Sequence, residues 1–268
     1  MSLIAFFAWV GMGADGISSA NYGPEEAFLA LRDARFLAPL LAIAIAAIVL
    51  IISAAYSQLI EQFPSGGGGY VVASKLLHPR AGVVAGSALL LDYVLTIAVS
   101  IVSGVEAVFS LLPPAWDALK GEIAVMASIV LVVLNLRGVK ESVLILLPIF
   151  LVFIISHGAL VTYGIVTHLE NFPEHVSRSA VEGHAMVSQY GWWFVFVRFL
   201  QAFSMGAGTL TGIEAVSNGM LALKEPRVRT GKRTMAYMAA SLSFLAAFLL
   251  LNYFLFDVQR VEGQTLNA

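Results

Sequence analysis

The chain has 268 residues, 59% of them hydrophobic and only 12% charged, with a formal net charge of −2 and no cysteine. Its mean hydropathy of +0.86 is far from soluble globular composition, which runs about 45–50% apolar and ~25% charged. These figures define a polytopic membrane protein and exclude disulfides and thiol chemistry. No polybasic nucleic-acid tract, Ser-His-Asp arrangement or metal-ligand spacing is present, so no nucleic acid, cofactor or enzymatic role is expected. The N-terminus lacks a charged region followed by a small-residue cleavage site and does not read as a cleaved signal peptide.

A spanning helix needs about 20 mostly apolar residues. That rule predicts one transmembrane domain over 1–268, with seven spans at 2–31, 36–60, 81–112, 123–136, 143–166, 192–223 and 235–256. The first span is interrupted by Gly11-Met12-Gly13-Ala14-Asp15-Gly16-Ile17-Ser18-Ser19-Ala20-Asn21-Tyr22-Gly23. A carboxylate at membrane depth is costly and marks a pathway or cavity. Backbone freed by glycines is tolerated there only where it lines a site. The stretch therefore predicts a helix broken at Gly13 and Gly16 that holds a small polar or ionic solute.

Pro64-Ser65-Gly66-Gly67-Gly68-Gly69-Tyr70 follows the second span. No Lys-Ser/Thr succeeds the glycines, so it is not a phosphate loop. A flexible linker and a short re-entrant or interfacial segment remain open. In the third span, Asp92, Thr96, Val99, Ser103 and Glu106 share one helix face, with Tyr93 and Ser100 beside it. Two carboxylates on that face favour a pathway over simple helix packing. Pro113-Pro114 ends the span.

Pro148 in the fifth span reads as a kink and His157 as a packing histidine. The polar Glu170–Gln189 stretch reads as an external connection. Its histidines, His168, His175 and His184, are too irregular for a metal site. The sixth span repeats the theme of the first: Gly206, Gly208, Thr211, Gly212 and Glu214 place a second break and a second carboxylate at mid-membrane. Two glycine-interrupted segments five spans apart are the sequence mark of an inverted-repeat transporter. Arg198, earlier in that span, either snorkels or pairs with a carboxylate.

Basic residues in short loops stay cytoplasmic. One set of alternate loops carries Arg32, Arg35, Lys120 and Arg178. The other carries Lys75, Arg80, Arg137, Lys140, Lys224, Arg227, Arg229, Lys232 and Arg233. The second set is richer, which predicts a multi-pass inner-membrane protein with a cytoplasmic N-terminus. A five-plus-five repeat calls for five spans in its second half. The two present predict that further C-terminal spans are missing from this chain.

With these motifs assembled, the chain resembles the amino acid–polyamine–organocation superfamily along its length, and within it the branch of bacterial potassium importers akin to the KUP transporters. The resemblance rests on Asp15, Ser18-Ser19 and Tyr22, on Asp92-Tyr93 with Thr96 and Ser100, on the Pro-Ser-Gly-Gly-Gly-Gly-Tyr segment, and on Thr211 with Gly212-Ile213-Glu214-Ala215-Val216-Ser217-Asn218-Gly219. It implies an all-α, partial LeuT-like inverted-repeat bundle with discontinuous first and sixth helices. It also implies potassium binding at Asp15, Tyr22, Asp92, Tyr93, Thr96, Ser100 and Thr211, and proton coupling at Glu214. The expected function is proton-coupled potassium uptake by alternating access. An amino-acid or amine permease, with Asp15 on the substrate ammonium, is the first alternative. A non-transporting membrane subunit is the second. The expected partners are the solute, protons and the lipid bilayer, and a homodimer of the full-length protein is compatible with the sequence.

Overall fold

The computed structural model describes residues 2–136, 138–261 and 264–267, and only the backbone of 139–141. Arg137 and the Lys140 side chain, both used in the orientation argument, lie outside the described residues. The secondary structure is helical, apart from one isolated bridge between Leu3 and Leu223. The long helices are α1 (Ala5–Leu31), α2 (Ala38–Gln62), α4 (Pro79–Phe109), α5 (Lys120–Leu136), α6 (Val139–Thr167), α7 (Phe172–Tyr190), α8 (Trp192–Met205) and α10 (Arg227–Leu255). The short ones are α3 (Gly68–Val72) and α9 (Ala215–Asn218).

Six helical stretches are long and apolar enough to cross a membrane, and the first, Ala5–Gln62, contains both α1 and α2. As one rod, its 58 residues would reach about 87 Å at 1.5 Å per residue, nearly three times a ~30 Å hydrocarbon core. A tight turn at Arg32–Leu37 divides it. Arg32 has φ 51° and Ala34 leaves the helical region at φ −97°, ψ 35°.

α1 is the central post. It packs against α10, α8, α6 and α4, and buries Ala8, Val10, Ile17, Ala20, Ala27, Phe28 and Leu31. α2 and α10 form the most extensive helix pair. α2 turns Leu41, Ile45, Val49 and Ser53 inward at four-residue spacing, and α10 answers with Met235, Met238, Leu242 and Ala246. Ile43, Leu50 and Ile51 on the opposite face of α2 are exposed. Small residues and interdigitation carry such contacts, because lipid tails are as apolar as leucine and provide no hydrophobic drive between helices.

Two expectations need correction. The first helix is not broken: α1 is continuous from Ala5 to Leu31, through Gly13, Gly16 and even Pro24. A glycine in a helix interior costs only about 1 kcal/mol relative to alanine, which packing here offsets. Its glycines serve close approach instead. A Cβ on Gly16 would lie 3.3 Å from the Thr211 carbonyl oxygen, and one on Gly23 would lie within van der Waals overlap of Thr209 Oγ1. Ser18 donates to the Asp15 carbonyl at 2.7 Å, the back-bonding of a hydroxyl within an intact helix, and Ser19 Oγ lies 3.0 Å from the same oxygen. The connection at Glu170–Gln189, expected as a polar loop, is mostly the helix α7, which runs from Phe172 to Tyr190.

The sixth span is broken as expected. α8 ends at Met205, a tight turn covers Gly206–Leu210, Thr211 is extended (ψ 147°), Gly212 has φ +81°, and helix resumes only at Ala215. α10 begins at Arg227, eight residues before the predicted 235, because its first two turns carry Arg227, Arg229, Lys232 and Arg233. The tetraglycine segment is docked rather than loose. Gly66, Gly67 and Gly68 all have positive φ, and Cβ atoms on Gly66 and Gly68 would run into the Ser217–Asn218 region.

Candidate functional site

The break in the sixth span lies against the unbroken α1. Gly16 and Gly212 remove the side chains that would separate the two backbones, so Asp15 faces the irregular segment directly. Ser19 Oγ, one turn on, lies 2.6 Å from Thr211 Oγ1 and 3.0 Å from the Tyr22 hydroxyl. Thr211 Oγ1 also donates to the Gly208 carbonyl at 3.0 Å. Three hydroxyls and a freed carbonyl therefore converge beside Asp15.

A cavity of about 660 Å³ opens between α1, α4 and α9. Its polar wall consists of Asp15 and Ser18 from α1, Tyr93, Thr96 and Ser100 from α4, and Asn218 from α9. Thr96 is buried, Ser18 Oγ is 3.3 Å from Ser100 Oγ, and Asn218 Nδ2 donates to the Tyr93 hydroxyl at 2.8 Å. Met12, Ile97, Ile101 and Leu131 line the rest. The wall thus combines one carboxylate with hydroxyls on an apolar ground, the make-up of a small-solute site.

The predicted residues separate into groups. Asp15, Tyr93, Thr96 and Ser100 share the cavity wall, while Tyr22 and Thr211 form the hydroxyl cluster with Ser19 outside that wall. Glu214, only 9% exposed, sits at the break, with its Oε1 lacking any protein partner. Asp92 is half-buried but is not in the cavity wall. Glu106, on the same predicted stripe, is tied to Lys120 at 2.9 Å at the far end of α4. His157 stacks on Phe153 at 3.9 Å and makes a 3.1 Å contact through Nδ1 to the Phe153 carbonyl, so it is a packing residue.

Ser18 and Asn218, both within the motifs that carry the resemblance, are absent from the expected ligand set yet lie in the cavity wall. An amide in an apolar span at the end of the glycine-interrupted motif was the available signal for Asn218. Among the described residues, Asp15, Asp92 and Glu214 have no cationic partner within 4.0 Å, and no group of three His, Asp or Glu side chains is arranged to hold a metal ion.

A multi-pass helical bundle with a solute cavity at an interrupted helix has the form of a membrane transporter. The family model described as "Amino acid permease" matches residues 5–256, and the chain belongs to that family, within the amino acid–polyamine–organocation superfamily. It is also similar to "Potassium transporter KimA" of Bacillus subtilis (strain 168), with 36% identity over 239 residues, which cover 87% of this chain and 38% of that protein. The chain thus spans well under half the length of that curated relative.

Proposed function

We propose that this chain forms the solute-binding part of a secondary transporter of the inner membrane that takes up potassium together with protons by alternating access, with its N-terminus in the cytoplasm. The observation that carries the reading is Asp15, which faces the polar cavity without a cationic partner. An unpaired carboxylate at membrane depth calls for a cation or a proton. Asp15 is the one carboxylate in the cavity wall, and the other side-chain oxygens there are the hydroxyls of Ser18, Tyr93, Thr96 and Ser100 and the Asn218 amide. That set suits a weakly hydrated monovalent cation better than a divalent one, which favours several carboxylates or a shell of retained water. The name of the similar Bacillus protein points the same way.

Glu214 is the candidate proton carrier. It lies beside the break, buried, with a carboxyl oxygen that has no hydrogen-bond partner. When the break shifts between inward and outward forms, the surroundings of this carboxyl change. That change is what couples proton release to the motion.

The test is rescue of a potassium-uptake-deficient bacterium by the full-length protein. Rescue is expected to be lost in Asp15→Asn, and rescue that persists sinks the ion-site assignment. In Glu214→Gln, the pH dependence of rubidium uptake is expected to vanish while ion binding survives in part. A second reading, an amino-acid or amine permease, is favoured by the family description and by a cavity far larger than one potassium ion. Competition of labelled amino acids or amines with rubidium would establish it in place of the first.

A further inference from the structure

A second cavity, of about 800 Å³, lies between the C-terminal end of α1 and α8, with the segment after α10 at its edge. It shares no residue with the cavity that holds Asp15. Its charged wall is Arg32, Arg198 and Arg260 against a single acid, Glu26. None of these four makes an ion pair within 4.0 Å among the described residues. Arg198 contacts only Gln201 Oε1, at 3.3 Å, and the face of Phe194, at 5.3 Å.

The placement of Arg198 makes this unusual. α8 starts at the exposed aromatic pair Trp192-Trp193, the kind of residues that sit at a membrane surface. Arg198 is six residues further along the helix, about 9 Å deeper at 1.5 Å per residue. An arginine at that depth, without a carboxylate, needs an anion or a route to water. Here it opens into a chamber with two more guanidiniums, those of Arg32 and Arg260, which make no ion pair within 4.0 Å among the described residues. A planar guanidinium presents paired N–H donors that bind two oxygens of a phosphate bidentately. Leu29, Phe194 and Val197 form an apolar wall alongside, which a bare inorganic ion would leave unused.

We infer that this cavity is a binding site for a phosphate-ester anion, held by Arg198 and Arg260 with Arg32 at the rim. The anionic phospholipid headgroup of the adjacent leaflet is the source that fits both the cationic and the apolar walls. Free phosphate is the other source of the same chemistry.

The experiment uses the full-length protein in nanodiscs of phosphatidylcholine with a minor fraction of phosphatidylglycerol. Lipids retained on release from the discs are counted by native mass spectrometry. The expected result is retention of phosphatidylglycerol well above its share of the disc, reduced about tenfold by Arg198→Gln and by Arg260→Gln. Arg260 is exposed and off the helices, so its variant tests the site even where Arg198→Gln fails to fold. Calorimetric binding of inorganic phosphate in lipid-free micelles, lost in Arg260→Gln, without phosphatidylglycerol enrichment, assigns the site to the free anion. Equal retention of both lipids with no phosphate binding overturns the proposal and leaves Arg198 as a snorkelling side chain. Undiminished enrichment in Arg260→Gln also overturns it.

Discussion

Gly212 and Asp15 are in contact across the break. A methyl group on Gly212 would lie 2.9 Å from Asp15 Cγ and 2.7 Å from the Gly16 backbone nitrogen, and Gly212 itself has φ +81°. Gly212→Ala therefore carries two costs, a strained backbone and a clash with α1 backbone that cannot rotate away. The expected loss is about 2–4 kcal/mol of stability together with loss of uptake. Gly16→Ala is the milder partner, since Gly16 lies in a regular helix and its added Cβ has one tight contact, the Thr211 carbonyl at 3.3 Å, beside ordinary contacts with Leu242 and Met238. Thermal unfolding of both variants in detergent checks the order, and a Gly212→Ala protein no less stable than Gly16→Ala contradicts this account.

The hydroxyl cluster predicts a second outcome. Thr211 Oγ1 bridges Ser19 Oγ and the Gly208 carbonyl. Thr211→Val keeps the shape but leaves Ser19 with one partner fewer, whereas Thr211→Ser keeps the bridge. A lost buried hydrogen bond costs about 1–3 kcal/mol when its partner is left unmet. Rubidium uptake is expected to fall roughly tenfold or more in Thr211→Val and to stay near wild type in Thr211→Ser. Equal defects in the two variants would make the methyl group, not the hydroxyl, the relevant feature.

Asn218 provides a third outcome. Its amide donates to the Tyr93 hydroxyl and joins α9 to α4 across the cavity, and its carboxamide also packs against the Gly66–Gly68 turn. Asn218→Ala removes a clamp between α9 and α4. Tyr93→Phe removes the same hydrogen bond from the other side. The pair should behave as a coupled unit, with a double variant no worse than the more damaging single one by more than ~0.5 kcal/mol. A double-mutant cycle on unfolding midpoint measures this, and full additivity would show that the contact contributes nothing.

Much of this arrangement can be read from the sequence because lipid punishes exceptions. Asp15, Glu214 and Gly212 stand out in apolar spans, and the break around Gly206–Glu214 follows from them. What could not be read is which helix actually opens. Glycine signals both a break and a close approach, and the choice depends on a neighbour remote in sequence. Gly16 and Gly23 sit inside a continuous helix and leave room for Thr211 and Thr209, nearly two hundred residues later. Asp92 and Glu106 illustrate a similar limit: helical periodicity puts them on one face, but the face is longer than the cavity, and its far end meets Lys120. α7 escapes an average of hydropathy because its apolar and polar residues nearly cancel, although they alternate with helical spacing.

The last prediction concerns how that polar helix is held. Arg178 of α7 donates to both oxygens of Asp257, just beyond α10, at 3.0 and 2.5 Å, and also pairs with Glu182 at 3.2 Å. The guanidinium hydrogen bonds hold the Asp257 carboxyl below the usual carboxylate range. A carboxyl depressed in the folded state stabilises the fold above its unfolded value of about 3.9, and the contribution is lost as pH falls through the folded value. Both side chains are about half exposed, at 49% and 47%, so the pair contributes no more than ~1 kcal/mol. Asp257→Asn is therefore expected to speed amide hydrogen exchange in Phe172–Tyr190 by up to about fivefold at pH 7. Wild type and variant should converge once the pH is brought below the folded value, when the wild-type carboxyl is itself protonated. Exchange that differs equally at pH 7 and at pH 2 would show that the α7 contact depends on packing around Asp257 rather than on its charge.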